Sequence, residues 1–286
     1  MRSRSRLAAF VLAVSLCAGG AAEAQFRPSA RTQPLNPAQE LKQYRLLEQS
    51  FAQLQPQRRG VVDAYVLSAA LWDEHVFQNE AEGAAAVLSQ RFNAAGRTIV
   101  LTNGKGQGAE RTHAGARPSE IAAALARIGE VMDKDEDVLV LFMTSHGFQD
   151  GAIGVQEQFR NYSIYPATLR ESLDQIGVKN RLVIVSSCYA GAFIPALAND
   201  TTMIFAAAAQ DRTSFGCVPE NDWTFFGDAF MNQTLRQNRS LPDAFSMAKI
   251  LIESWEARDN VRPSLPQSSI GAQTGPIVAA MTGRAR

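Results

Sequence analysis

The chain has little cysteine or histidine and no surplus of charge of either sign. Its 286 residues include three Cys and three His, and 28 basic side chains balance 28 acidic ones. A neutral chain without a basic stripe gives no electrostatic reason to expect a nucleic acid as partner. Hydrophobic residues make up 46% and charged residues 20% of the chain, which is the ordinary composition of a globular protein. We therefore expect a folded domain that does not act on nucleic acid.

Several catalytic and cofactor motifs are also missing. The sequence has no G-x-S-x-G turn, no C-x-x-C pair and no H-E-x-x-H helix, which argues against a serine α/β-hydrolase, a dithiol redox protein and a zinc protease. The Gly-rich stretch 103–108 lacks the spacing of a phosphate-binding loop. His146, Cys188 and Cys217 are one ligand short of a closed zinc site. We expect neither a metal nor a cofactor.

The first 24 residues have the pattern of a secretory signal peptide. Three arginines precede the apolar run 7–16, and small residues lead to an Ala-Glu-Ala cleavage pattern ahead of Gln25. The apolar run is too short to remain as a membrane span. We expect a protein exported to the periplasm or secreted, with no integral membrane segment after signal removal. Cys17 is an alternative lipidation site, although Leu16 stands before it where a small residue is expected.

The mature chain would keep two cysteines and a formal charge of −2. The cysteines are Cys188 and Cys217, and in an oxidising compartment they could form a disulfide. Residues 25–56 are predicted to be a Gln/Pro-rich arm or linker, with one short helical pattern near 40–54. There is no internal repeat and no sign of a second core, so the prediction is one domain over 57–286.

From residue 61 onward, short apolar runs alternate with amphipathic stretches. The apolar runs predict strands at 61–70, 98–102, 137–144, 181–186 and 202–209. The third and fourth of these runs are apolar on both faces, as in central strands covered by helices on each side. Helices are predicted at 80–92, 118–132, 166–176, 190–198, 223–236 and 241–257, the last capped by Ser240, and a hairpin at 152–155 and 162–164. The alternation predicts an α/β fold, a three-layer αβα sandwich with a mainly parallel sheet.

Two polar motifs stand where two of the predicted strands end. The third strand runs into Ser145-His146-Gly147, and the fourth runs into Ser187-Cys188-Tyr189. Functional groups of open parallel sheets gather at this carboxyl edge, and adjacent strands lie about 5 Å apart. His146 and Cys188 are therefore expected to face each other. Because a thiolate is a strong nucleophile and an imidazole can transfer protons near neutral pH, they form a candidate catalytic pair.

Backbone groups beside the pair are expected to stabilise negative charge. The dipole of the predicted helix 190–198 would favour a thiolate at Cys188. Gly147 has no Cβ, so a substrate carbonyl can approach it, and its N–H and that of Cys188 form a candidate oxyanion hole. The alternative is structural, because a buried cysteine commonly serves as a small hydrophobic residue and a single histidine commonly packs without catalysing.

The two motifs resemble those of legumain-type cysteine peptidases, whose clan also contains the caspases and the GPI-anchor transamidase. A third block, 207–217 followed by 224–228, resembles the substrate-pocket segment of that family. The resemblance covers roughly 61–275 and is greatest to bacterial exported members. It implies a caspase-like form of the sandwich, with His146 as the base and Cys188 as the nucleophile.

The resemblance also implies a pocket for the substrate residue that precedes the cleaved bond, lined by Ser186, Ser214 and Asp228. The sequence departs from the family at this pocket. Ser186 stands where legumain has an acidic residue, and the pocket arginine of the family cannot be placed in 72–80. Cys217 matches a family cysteine that accompanies the site without catalysing.

The function implied is that of a monomeric cysteine-type endopeptidase. It would cleave a peptide or protein substrate through a thioester acyl-enzyme. Two alternatives remain open at this point: a transpeptidase that uses the same pair and resolves the acyl-enzyme with an amine, and a catalytically silent caspase-like binding module.

Overall fold

The computed structural model describes residues 36–104, 112–157 and 160–283. The signal peptide, Cys17 and the first part of the predicted arm lie outside these residues, as does most of the Gly-rich stretch 103–108. Export and signal cleavage therefore stay predictions. Within the described ranges, no helix combines the length and the apolar character that a membrane span requires.

A six-stranded sheet forms the centre of the molecule. Its strands are β1 (Ala64–Ala70), β2 (Thr98–Thr102), β3 (Val138–Thr144), β6 (Asn180–Ser186), β7 (Thr202–Ala206) and β8 (Gln267–Ile270). They lie in the order β2-β1-β3-β6-β7-β8. All neighbours pair in parallel except β8, which runs antiparallel to β7. A separate hairpin, β4 (Ile153–Glu157) with β5 (Arg160–Ile164), follows β3 as predicted.

Helices cover both faces of the sheet. One core contains residues of α1 (Pro37–Ala52), α3 (Pro118–Val131), α4 (Pro166–Ile176) and α5 (Phe193–Leu197). The core on the opposite face contains residues of α2 (His75–Arg91), the π-helix Gly227–Thr234, α6 (Leu241–Arg258) and α7 (Thr274–Gly283). The three-layer αβα sandwich with a mainly parallel sheet is confirmed.

The sequence of the central strands explains why they lie between two helical layers. Every residue of β1, β3 and β6 is buried. Side chains alternate between the faces of a strand, so Leu139 and Leu141 join the first core while Val140 and Phe142 join the second. A strand with two apolar faces cannot lie on the surface without exposing one of them, which fixes it at the centre.

Three elements differ from the sequence prediction. Strand β8 and helix α7 were not predicted, because β8 is short and reads Gln-Ser-Ser-Ile, and α7 begins Thr-Gly-Pro. The helix expected at 190–198 is instead a 3₁₀ turn, Ala190–Ala192, followed by the five residues of α5. The cap of α6 is confirmed, since the Ser240 side chain accepts a hydrogen bond from the N–H of Asp243 at 3.2 Å.

Part of the predicted arm packs on the sheet. In α1, Leu47 is buried, and the Gln43 side chain accepts a hydrogen bond from the N–H of Gly115 at 2.6 Å. Glu40 forms an ion pair with Arg117 at 2.9 Å. These contacts attach α1 to the domain that was predicted to begin at residue 57, and the division of the chain at that position stays a prediction.

Candidate active site

The two motifs emerge from the same level of the sheet. Thr144 at the end of β3 and Ser186 at the end of β6 are register partners. The N–H of Ser145 donates to the carbonyl of Ser186 at 3.2 Å and extends this pairing by one residue. His146 lies two residues after Thr144, and Cys188 lies two residues after Ser186. Both therefore lie at the same edge of the sheet.

The loops beyond the strands touch through Gly147. A Cβ on this residue would lie 1.9 Å from the carbonyl oxygen of Cys188, so no other residue fits without displacing the backbone. On its other side Gly147 is bridged to Ile153 of the hairpin, where the N–H of Gly154 donates to the carbonyl of His146 at 2.8 Å. The hairpin thus holds the histidine loop against the cysteine loop.

The chain turns sharply after Cys188. Tyr189 has φ of 58°, in the left-handed region, and its N–H donates to the carbonyl of Arg212 at 2.8 Å. A left-handed conformation costs a residue with a side chain about 1 kcal/mol or more, so the surrounding contacts must hold it in place. The turn lets the strand end and the following 3₁₀ turn present Cys188 at the edge of the sheet.

Backbone N–H groups converge on the sulfur of Cys188. The N–H of Ser214 donates to Sγ at 3.3 Å, and the Ser214 carbonyl lies 3.5 Å from the same sulfur. The N–H groups of Gly147 and Cys188 itself also favour the thiolate, but burial outweighs all three donors and raises the pKa of the Cys188 thiol above its ordinary value. The helix expected to favour the thiolate begins as a 3₁₀ turn beyond Tyr189 and continues into the five residues of α5, and the effect of its dipole on Cys188 stays a prediction.

The imidazole of His146 is held by residues that follow β1. Its Nε2 lies 3.4 Å from both carboxylate oxygens of Glu74, the residue that precedes α2. The rings of Trp72 and Phe77 contact it edge-on, each with a centroid separation of 5.0 Å. Among the described residues, the hydrogen bond of the imidazole goes to Glu74, and none joins it to the thiol of Cys188.

Glu74 was missed in the sequence. It stands in the stretch 72–80, which was searched for a pocket arginine and not for a partner of the histidine. The available signal was positional, because β1 lies beside β3 in the sheet and its carboxyl end reaches the same edge.

The three predicted pocket residues lie in different places. Ser214 contacts the thiol through its backbone. Ser186 is only 2% exposed, and its hydroxyl lies 3.2 Å from that of Thr224. Asp228, on the π-helix, accepts hydrogen bonds from Asn232 and Gln233 at 2.7 Å each. It borders a cavity of about 410 Å³ together with Trp223, Phe225, Trp255 and Arg258. Their roles in substrate binding stay predictions.

Cys217 lies close to the site as a free thiol. It packs with Trp72 against a small apolar cluster, Ala70, Val76, Phe77 and Ala81. Burial, together with the nearby Cys188 and the carboxylates of Glu74 and Glu80, raises the pKa of Cys217 to about 11. Cys188 is also free, so the alternative disulfide is not formed. In the described part of the chain, no three Cys, His, Asp or Glu side chains cluster as a metal site would require.

Comparison with known proteins decides the family. The model of the peptidase C13 family matches residues 121–275, which is more than half of the chain. The chain belongs to the peptidase C13 family. The resemblance to legumain is confirmed, and family membership makes this protein a cysteine peptidase. The matched range includes His146, Cys188 and the third block of the motif, and it begins after Glu74.

One solved structure similar to this C13 peptidase is the crystal structure of caspase-1 from Spodoptera frugiperda. The similarity covers 76% of the present chain and 93% of the caspase chain, with a TM-score of 0.48 and 13% sequence identity. No curated protein matches the chain.

Proposed function

We propose that this C13 peptidase is an endopeptidase with Cys188 as the nucleophile and His146 as the base. The observation that carries the proposal is the backbone contact between the two motifs. Gly147 packs directly on the carbonyl of Cys188, the N–H of Ser214 donates to Sγ at 3.3 Å, and the N–H groups of Gly147 and Cys188 also favour the thiolate. A site built this tightly around a sulfur suits a reaction in which negative charge forms there and on the oxygen that it attacks.

The reaction begins with a neutral thiol, because burial raises the pKa of Cys188. His146 takes the thiol proton as Sγ attacks the carbonyl carbon of the scissile bond, and the resulting oxyanion lies against the N–H groups of Gly147 and Cys188. The C–N bond then breaks, and His146 returns the proton to the leaving amine. Water attacks the thioester, gives a proton to His146 and releases the acid, and the thiol recovers its proton.

Glu74 orients the base and stabilises its charged form. Its carboxylate lies 3.4 Å from Nε2 of His146, which leaves Nδ1 as the nitrogen that exchanges protons with Cys188. The edge contacts from Trp72 and Phe77 restrict rotation of the ring. The imidazolium that forms during the reaction would therefore have a carboxylate beside it, on the side opposite the reacting atoms.

The direct test measures iodoacetamide labelling by intact mass, together with hydrolysis of a mixed peptide library. We expect Cys188→Ala and His146→Ala to abolish hydrolysis. Because the pKa of Cys188 is raised, labelling of the wild-type protein at Cys188 should accelerate only above the pH range of an ordinary thiol. Cys217→Ala is the matched control, since Cys217 lies in the same region outside the proposed pair and should leave hydrolysis intact.

Two outcomes would overturn the proposal. Hydrolysis by the Cys188→Ala protein would exclude this nucleophile. Wild-type protein that is labelled at Cys188 and cleaves no peptide would favour a binding module. Addition of an amine nucleophile to an active preparation separates the two enzymatic alternatives, because a transpeptidase would form the amine adduct in preference to the acid.

A further inference from the structure

Glu80 is a buried carboxyl group that the mechanism above does not use. It lies in α2, its residue is 0% exposed, and it forms no ion pair within the described residues. A carboxyl group buried without a cation is costly unless it is neutral or strongly hydrogen-bonded. Its position therefore calls for a physical reason.

The location of Glu80 is directly behind the two strand ends that lead into the site. The hydroxyls of Thr144 and Ser186 lie close enough to its carboxyl group to lower its pKa. The Ser186 hydroxyl makes its hydrogen bond with that of Thr224 at 3.2 Å, and Oγ1 of Thr144 has no hydrogen-bond partner in the described structure. Thr144 and Ser186 are register partners on β3 and β6, so their side chains point to the same face of the sheet. Helix α2 is fixed on that face, because the Ser68 hydroxyl donates to the carbonyl of Ala81 at 2.7 Å.

A third segment of the site also meets this carboxyl group. The N–H of Thr224 donates to Oε2 of Glu80 at 3.1 Å. The next residue, Phe225, donates through its N–H to the carbonyl of Phe215 at 3.0 Å, and Phe215 follows Ser214, whose backbone contacts Sγ of Cys188. Gly227 lies so close that a Cβ there would be 2.4 Å from Oε1 of Glu80.

We propose that Glu80 is a positioning residue, which holds the segment at Thr224 by a hydrogen bond and supports the ends of β3 and β6 from behind, and so sets the placement of His146, Cys188 and Ser214. This inference rests on the proposed function for what the placement serves. The contacts themselves involve neither reacting side chain. Thr144 and Ser186 lie two residues before His146 and Cys188, and the segment at Thr224 reaches Ser214 through the hydrogen bond between Phe225 and Phe215.

The protonation state of Glu80 decides how well it can position the residues of the site. Burial raises its pKa to about 7, against the opposing effect of the three hydroxyls. Oε1 of Glu80 is buried without a hydrogen-bond partner in the described structure, so an ionised carboxylate would leave an unpaired acceptor there, whereas the protonated form carries a donor of its own. The neutral form therefore suits the site, and the ionised form leaves an unpaired buried charge.

The titratable groups around Glu80 are mostly acids. On the surrounding elements the titratable groups include Glu74 before α2, His75 and Glu82 in α2, His146 beyond β3, Cys188 beyond β6, Cys217, and Asp228 on the π-helix. The Cys217 pKa is raised partly by the negative charge of Glu80 and Glu74. Ionisation of Glu80 as the pH rises through 7 thus adds negative charge to a region already poor in positive charge.

The test compares Glu80→Gln and Glu80→Ala with the wild-type protein, using two independent readouts between pH 5.5 and 8.5. These are the rate of Cys188 alkylation by iodoacetamide, which needs no substrate, and kcat for peptide hydrolysis. We expect Glu80→Ala to lower kcat at least tenfold with a smaller change in KM. Glu80→Gln, which copies the neutral carboxyl group, should recover most of this loss. The ratio of its kcat to that of the wild type should rise several-fold from pH 6 to 8.5.

Glu82→Gln is the matched control, because it removes a carboxylate of the same helix that is 39% exposed and lies beside His113. It should reproduce the wild-type pH dependence. A pH-independent ratio between Glu80→Gln and wild type in both readouts would overturn the proposal, as would a Glu80→Ala protein with wild-type alkylation and kcat. If no peptide is cleaved but the alkylation ratio changes as expected, the positioning role stands and the endopeptidase proposal fails.

Discussion

Two buried carboxyl groups at opposite edges of the sheet have contrasting hydrogen-bond and ion-pair partners. Asp63, just before β1 at the amino edge, accepts hydrogen bonds from Arg58 N–H and Nε at 2.7 and 2.8 Å, and Arg97 Nε lies 3.5 Å from it. Glu80, behind the carboxyl edge, has only hydroxyls and a backbone N–H around it. Both carboxyl groups are inaccessible to solvent, but only the first has cationic partners.

The presence or absence of cationic partners separates the structural role of Asp63 from the functional role proposed for Glu80. A buried ion pair whose partners are all present keeps its charge over a wide pH range, and the loss of one partner destabilises the fold. A buried carboxyl group without a cation changes its charge near neutral pH, and such groups concentrate at functional sites. The ion pairs of Asp63 thus hold the strands at the amino edge, whereas the Glu80 carboxyl group behind the carboxyl edge changes its charge with pH.

The largest effect is expected for Gly147→Ala at the carboxyl edge. The new Cβ would collide with the Cys188 carbonyl and displace an N–H of the proposed oxyanion hole, so kcat should fall about 100- to 1000-fold. Gly129→Ala is the control, since a Cβ in α3 would lie 3.5 Å from Ile176, an ordinary contact. Steady-state kinetics of both variants checks this, and a Gly147→Ala protein within tenfold of wild-type kcat would contradict it.

Next in size is Asp63→Asn at the amino edge. It leaves Arg97, whose side chain is 5% exposed, without its counter-charge, so the free energy of unfolding should drop by about 3 to 4 kcal/mol. The kcat of the folded protein should not change, because the site lies at the other edge. Urea denaturation gives the free energy of unfolding in each case.

Asp174→Asn provides the comparison for that measurement. Asp174 pairs with Arg181 at 2.8 Å, but its side chain is 58% exposed, so its replacement should cost less than about 1 kcal/mol. Equal losses from the two substitutions would show that burial does not distinguish these ion pairs.

A smaller effect is expected in the pH dependence of stability. The pKa of Glu80 is about 7 in the folded protein and 4.5 for an unperturbed carboxyl group, so the folded state holds a proton that the unfolded chain releases. The resulting stabilisation is complete below pH 4.5 and is lost as the pH rises to 7 and above, by about 3 kcal/mol in all. Urea denaturation of wild type and Glu80→Gln over this range isolates the contribution, and parallel curves would count against it.

The strands of the sheet could be predicted from sequence because runs of consecutive apolar residues indicate buried strands. Runs such as 138–142 have no competing interpretation once helical stretches separate them. Strand β8 carried no such signal, since it lies at the edge of the sheet and all its residues except Ser269 are exposed. The helix after Cys188 was predicted to be longer than it is, because nothing in the sequence marks the conformation of Tyr189 as left-handed.

The candidate site was predictable to the extent that it follows strand ends. His146, Gly147 and Cys188 follow runs that end together. Glu74 offered only its position after β1 and Glu80 offered no signal, because glutamate is an ordinary helix-forming residue and only the tertiary structure shows that one contacts an imidazole while the other is buried. The raised pKa of Cys188 was equally inaccessible, since it depends on how deeply the thiol lies.

The edge contact between Trp72 and His146 gives the site an intrinsic optical reporter. An indole in contact with a protonated imidazole loses fluorescence, because the cation accepts an electron from the excited ring. Trp72 is one of three tryptophans in the chain, and the other two, Trp223 and Trp255, lie at the cavity beside the π-helix. The emission of Trp72 in a chain without those two would follow the charge of the His146 imidazole directly, without any substrate or added dye.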